Sequence, residues 1–217
     1  MSAAEAWTEI TDLDALSALV GKPTPAARHK ERTTLRDVDV KWLQAAPFCV
    51  IATSDAAGEC DASPKGDPAG QLVHVIDERT IAIAERPGNR RVDGYRNVLA
   101  NPHVGMLFII PGRGDTLRVN GRARLVSDAP FFDEMVVRGH RPVLALVVDV
   151  ETVFHHCSKA FLRSKLWDPE SWDPTAVPRR AVLAQQLERP ESTVAELDEY
   201  YGPSYEKKIY GVTHSRP

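Results

Sequence analysis

What most constrains the fold of this chain is the stretch from residue 48 to residue 126, where short apolar segments alternate with turns rich in Gly, Pro and Asp. Residues 48–53 read as a buried strand, and Ser54-Asp55-Ala56-Ala57-Gly58 as the turn that follows it. Residues 59–63, 72–76 and 80–84 then read as short strands, and 104–110 as another. Over residues 116–126, Leu117, Val119, Gly121, Ala123 and Leu125 alternate with polar or charged side chains, the period of a half-buried strand. The apolar run 143–150 adds a central strand extending towards Phe154. Six or seven strands with few helices predict a mainly β fold with flanking helices, closed as a barrel.

Helical spacing appears at intervals around this sheet. Thr34 is placed to cap a helix carrying Leu35, Val38 and Trp42, which Pro47 stops. Residues 89–99 change period, with Val92, Tyr95 and Leu99 on one face, and Asn101-Pro102 closes the segment. Asp128 is placed to cap a short helix bearing Phe131, Phe132, Met135 and Val136. These signals divide the chain into an N-terminal arm (1–33), a barrel domain (34–167) and a helical tail (168–217). The tail begins at the Pro-rich interval 168–178 and is expected to pack on the barrel or on a partner subunit.

Composition excludes several function classes. With 27 basic and 30 acidic residues and a net charge of −3, the chain has no field that would draw it to nucleic acid or an anionic membrane. Three cysteines without CxxC spacing, and no charged-then-apolar leader, predict a reducing, cytoplasmic setting. Residues 143–150 include Asp149 and are too short to cross a bilayer. Adjacent His155 and His156 point to opposite faces of a strand, so a shared metal is disfavoured.

Two basic clusters at strand ends carry the chemistry: Ser63-Pro64-Lys65-Gly66-Asp67 and Arg86-Pro87-Gly88-Asn89-Arg90-Arg91. Glycines admit a close approach of backbone, arginines present forked donors suited to phosphate, and a helix starting at the second cluster adds free amides. The combination points to a phosphate-bearing cofactor. Its bland counterpart is a solvated basic pair at Arg90 and Arg91 and an exposed turn lysine at Lys65, which explains each alone but the three together poorly.

Five motifs in order, Ser63 to Pro68, Arg86 to Arg91, Asn101 to Phe108, Gly112 to Ala123 and Cys157 to Trp167, resemble the pyridoxamine 5′-phosphate oxidase-like family of FMN-binding proteins, in its branch of FMN-dependent enzymes. The resemblance covers roughly residues 30–175. It implies a six-stranded antiparallel split barrel that forms a homodimer, with one FMN in each of two symmetric clefts at the subunit interface. It implies an oxidoreductase with hydride transfer through the flavin; the alternative is a non-catalytic protein binding or carrying a flavin, a deazaflavin (F420) or haem. Small-molecule substrate and electron donor are not encoded in any pattern, and the pyridoxamine phosphate oxidases' Arg-Leu-x-Pro ending is not matched by His214-Ser215-Arg216-Pro217.

By the same resemblance, Arg90 and Arg91 sit at the family's phosphate-binding pair, with Asn89 as a helix cap or a further donor. The helix after them is about one turn longer than in the true oxidases, which leaves open which arginine meets phosphate. Lys65, Ser63 and Gly66 offer an ammonium, a hydroxyl and an amide to the cofactor. Thr116 falls where a barrel strand reaches the flavin ring, an ordinary polar strand face being the equal alternative. Lys159 and Arg163, with Ser164 and Trp167, form a basic and aromatic edge over the cofactor or the dimer seam. Trp167 and Cys157 are expected to pack, Cys157 as a buried small hydrophobe.

Overall fold

The computed structural model describes residues 7–207, 209 and 210, and the chain divides into two compact units, one ending at Glu31 and one beginning at Arg32. In the first unit, α1 (Leu13–Val20) is capped by Asp12, whose Oδ1 accepts from the Ala15 amide at 2.7 Å, and a short α2 (Pro25–Arg28) follows. Neither helix buries a residue, so the apolar spacing at Leu13, Leu16 and Leu19 does not feed the core.

The second unit is built on one antiparallel sheet of seven strands: β1 (Phe48–Ser54), β2 (Cys60–Gly66), β3 (Val73–Asp77), β4 (Thr80–Ala84), β5 (His103–Ile109), β6 (Thr116–Val126) and β7 (Ala145–His156). Their order is β2-β1-β5-β6-β7-β4-β3, one strand more than the six expected. The extra count comes from the short hairpin β3–β4, which pairs with the far half of β7 while β6 runs along its whole length. The two outer strands, β2 and β3, do not pair with each other, so the barrel is split. β2 tolerates Pro64 because an edge strand can leave one N–H position unused.

The sheet's inner face holds the main core, including Leu43, Cys49, Ile51, Ile81, Met106, Phe108, Leu117, Val119, Leu146 and Val148. β7 buries both faces over Ala145–Val148 because the 3-10 turn Pro130–Met135 lays Phe132 and Met135 against Ala145 and Val147 from outside. That turn replaces the helix expected at Asp128, whose carboxylate instead pairs with Arg141 at 2.7 Å. Between Asn120 and Gly121 the β6–β7 register shifts, and a Cβ on Gly121 would lie 2.1 Å from the Asp149 carbonyl oxygen. Only glycine permits that approach.

Three helices position the site. α3 (Asp37–Ala45) packs Trp42 and Leu43 inward; it starts two residues later than expected, and Val38 is exposed. Asp39, fully buried, anchors it: it accepts from both Arg32 Nη nitrogens (Nη2–Oδ1 2.9 Å), from the Arg36 amide (2.9 Å), and lies 3.1 Å from His155 Nε2 on β7. α4 (Asp93–Ala100) buries Tyr95, Asn97 and Val98 against β1, β2 and β6. Asn97 Nδ2 donates to Thr53 Oγ1 (3.1 Å) and Asp61 Oδ2 (2.8 Å), tying α4 to both strands. After β7, α5 (Lys159–Ser164) sits on the β5–β6 turn, where a Cβ on Gly114 would meet Ser158 Cβ at 2.8 Å and Trp167 Nε1 donates to the Arg113 carbonyl at 2.7 Å. Trp167 therefore packs, as expected. Cys157 is exposed, not the buried hydrophobe expected. In the tail, α6 (Arg180–Leu187) and α7 (Val194–Tyr200) pair through Ala181, Ala184 and Leu197, and α8 (Pro203–Glu206) follows.

Candidate functional site

The opening between β2 and the end of β4 is a cleft of about 560 Å³. Its walls are residues 61–67 of β2 and its exit, and residues 84–89, 91 and 93 leading into α4. Strand alternation sends Ser63 and Lys65 to one side of β2, opposite Ile51 and Cys49 on β1. The chain after β4 then leaves the sheet at Arg86-Pro87-Gly88, where no ladder continues, and its side chains face β2 across the gap.

Ion pairs replace backbone pairing there. Lys65 Nζ donates to Glu85 Oε2 at 2.6 Å and lies 3.2 Å from the Tyr95 hydroxyl, which donates a short hydrogen bond to the same oxygen. The ammonium also stands 4.9 Å from the centre of the Tyr95 ring. Burial, reinforced by Glu85, pushes the Tyr95 phenol far above its usual range, so it remains a donor. A second bridge runs from Arg86 Nε to Asp67 Oδ2 at 2.7 Å, and Asp67 Oδ1 accepts from the Tyr210 hydroxyl at 2.5 Å. Both Nη nitrogens of Arg86 are buried and have no hydrogen-bond partner among the described residues. Arg91 makes a third, more exposed pair with Asp93 (2.7 Å) in the first turn of α4.

Of the residues singled out in the sequence, Ser63, Lys65, Gly66, Asn89 and Arg91 line this cleft together. Arg90 is adjacent, in a left-handed conformation (φ 62°) that few non-glycine residues adopt, and is not among the lining residues. Asn89 does not cap α4, which begins at Asp93 after Val92; its Oδ1 accepts from the Arg91 amide at 3.0 Å and so shapes the loop. Thr116 is buried at the start of β6, three strands from β2, and Lys159 and Arg163 are exposed on α5. None of these three lines the cleft of the same chain. Sequence reasoning missed Asp67, Glu85 and Arg86 as cleft groups, and Tyr95 as the partner of Lys65 and Glu85 beside them. Asp67 and Arg86 lay inside the quoted motifs, and the signal was their opposite charge at the two strand ends.

The cleft's lining carries three cations against four carboxylates, so each base has an internal acid competing with any incoming anion. It still fits a phosphate-bearing planar cofactor. The volume lies in the range of small-molecule sites, and the Arg86 Nη nitrogens are donors that no acceptor among the described residues claims.

No curated protein matches the chain. Solved structures similar to it include HupZ of Group A Streptococcus (21% identity over 56% of this chain and 94% of that one, TM-score 0.44). A protein related to general stress protein 26, of the pyridoxinephosphate oxidase family, from Clostridium acetobutylicum matches at 12% over 55% and 85% (TM-score 0.41). An F420 reductase matches at 19% over 52% and 93% (TM-score 0.37). The decisive match is to the family model described as pyridoxamine 5′-phosphate oxidase, which spans residues 35–157, more than half of the chain and all seven strands. The chain belongs to the pyridoxamine 5′-phosphate oxidase family.

Proposed function

We propose that this protein is an FMN-dependent oxidoreductase that acts as a cytoplasmic homodimer, with the flavin held in the cleft between β2 and the segment leading into α4. The observation that carries the reading is the convergence of Ser63, Lys65, Gly66, Asn89 and Arg91 on one cleft in a member of this family. Bound FMN would supply the two-electron chemistry. The chain's own residues bind and orient: the Ser63 hydroxyl and the Gly66 and Gly88 backbone face the cleft, and Lys65 and Arg91 provide the positive field. Lys159 and Arg163 on α5, exposed and outside the cleft of their own chain, act from the second copy. The three free cysteines accord with a reducing compartment. Among the described residues no helix is long and apolar enough to cross a membrane.

The test is an absorption spectrum of the purified protein before and after FMN titration, followed by anaerobic addition of NADPH or NADH. A bound flavin spectrum that bleaches on reduction supports the oxidoreductase. Tight FMN binding with no reduction by either nicotinamide supports the carrier reading. No FMN binding, with spectral changes on adding F420 or haem instead, refutes the flavin assignment.

A further inference from the structure

Three elements meet at one carboxylate oxygen beside the cleft. Glu85 Oε2, just past the end of β4, accepts from Lys65 Nζ of β2 at 2.6 Å and from the Tyr95 hydroxyl of α4 in a short hydrogen bond. The ammonium lies 3.2 Å from the phenol oxygen and 4.9 Å from the centre of its ring. The Lys65 and Glu85 side chains are 21% and 25% exposed, and Tyr95 is buried. Among the described residues this is the one ion pair that Glu85 makes. The other charged groups lining the cleft are engaged elsewhere: Asp67 with Arg86, Asp93 with Arg91, and Asp61 with the Asn97 amide.

The Lys65 ammonium cannot serve Glu85 and a bound anion alike at full strength. Tyr95 does not make good the difference. Burial, reinforced by Glu85, keeps its phenol protonated, so it holds Oε2 as a neutral donor and brings no positive charge. A carboxylate left with one neutral donor, partly desolvated and beside an anion, is stabilised by protonation. We propose that Lys65 moves its ammonium contact from Glu85 to an anionic ligand of the cleft, and that Glu85 then takes up one proton from solvent, with Tyr95 as the positioning residue that keeps the carboxyl group in place. Oε2 continues to accept from the phenol, so the proton goes to Oε1. Water reaches both partners of the ion pair, so the uptake is partial at neutral pH and grows as pH falls. The cleft thereby takes up anion and proton together, and its affinity rises as pH falls. That the anion is FMN rests on the function proposed above; the exchange itself requires only a negative charge within reach of Lys65.

The test is calorimetric titration of the full chain with FMN from about pH 8 down to about pH 6, in buffers of different ionisation enthalpy, which counts the protons taken up. Glu85→Gln is the reference, because it removes the titrating group and leaves the ligand's own phosphate ionisation in place. The natural sequence should take up more protons than Glu85→Gln and gain more affinity as pH falls, up to about tenfold per pH unit, the slope of one linked proton. Lys65→Gln, which leaves Glu85 without its cation before any ligand arrives, should also take up fewer protons and serves if Glu85→Gln does not fold. Tyr95→Phe removes a donor that favours the charged carboxylate, so its uptake should persist and shift to higher pH; a purely structural role would weaken binding equally at every pH. Sulfate, fully ionised across this range, is titrated in parallel by thermal shift, and its stabilising effect should grow as pH falls in the natural sequence but not in Glu85→Gln. Equal proton counts in the natural sequence and Glu85→Gln overturn the coupling, and an unshifted Tyr95→Phe profile overturns the positioning role. If FMN does not bind while sulfate shows the Glu85-dependent profile, the proposed function falls and the coupling stands. FMN binding with no Glu85-dependent uptake does the reverse, and the absence of both effects overturns both.

Discussion

Asp39→Asn tests the reasoning that joins α3 to the sheet. The natural carboxylate is fully buried and accepts two bonds from Arg32 and one from the Arg36 amide, with His155 beside it. Asparagine keeps an oxygen for the amide but leaves Arg32 without a counter-charge. Removing one partner of a buried pair costs about 3–5 kcal/mol, and the 20% exposure of Arg32 lets water recover part of that, so we expect about 2–3 kcal/mol. At roughly 2–4 °C per kcal/mol for a chain of this size, the melting temperature should fall by roughly 4–12 °C at pH 7. Burial alone would raise the Asp39 pKa, but the Arg32 hydrogen bonds, the Arg36 amide, the Arg32 charge and His155 together hold it below the usual range. A depressed folded-state pKa means that the contribution is complete above the unfolded value, about 3.9, and is lost as pH falls through the lower folded value. The gap between natural and variant proteins should therefore narrow below about pH 4. Circular dichroism melts across that range measure it. A difference under about 2 °C at pH 7 would refute the claim that this buried pair anchors α3.

Gly121→Ala should prevent soluble folding or cost more than about 3 kcal/mol, because its Cβ would enter the Asp149 carbonyl; normal expression and an unchanged melt would contradict the bulge geometry. Thiol titration with an aromatic disulfide should find two fast cysteines, Cys60 and Cys157, and a third released only on unfolding, since Cys49 is fully buried and burial pushes its thiol up to about 12; three fast thiols would refute this. Asp93→Asn removes the acid that competes for Arg91, so FMN affinity measured by fluorescence should rise a few-fold, as for an exposed pair; a weaker affinity would show that Asp93 serves the ligand.

Strand periodicity in this chain is legible where a strand buries one face, as β6 does, and β4, buried on both faces, falls where its short apolar segment places it. Helix starts were less so. Thr34 and Asn89 have the side chains of caps, yet α3 starts after Arg36 and α4 after Val92, since packing of Trp42 and Tyr95 against the sheet sets the register. The 3-10 turn at Pro130–Met135 illustrates the same point. Phe131, Phe132 and Met135 carry helical spacing, but covering the outer face of β7 decides the conformation. For the site, residue types and strand ends sufficed to gather Ser63, Lys65, Gly66, Asn89 and Arg91. They could not reveal that Lys65 meets Glu85 twenty residues on, or that Tyr210 reaches Asp67, because both contacts depend on how far the sheet curls.

That curl links the cleft to stability. With no backbone ladder between β2 and β3, the split is closed chiefly by side chains, and Lys65–Glu85 and Asp67–Arg86 span it. The same groups line the cleft, so an anion that draws Lys65 from Glu85 loosens the closure while it adds a contact of its own.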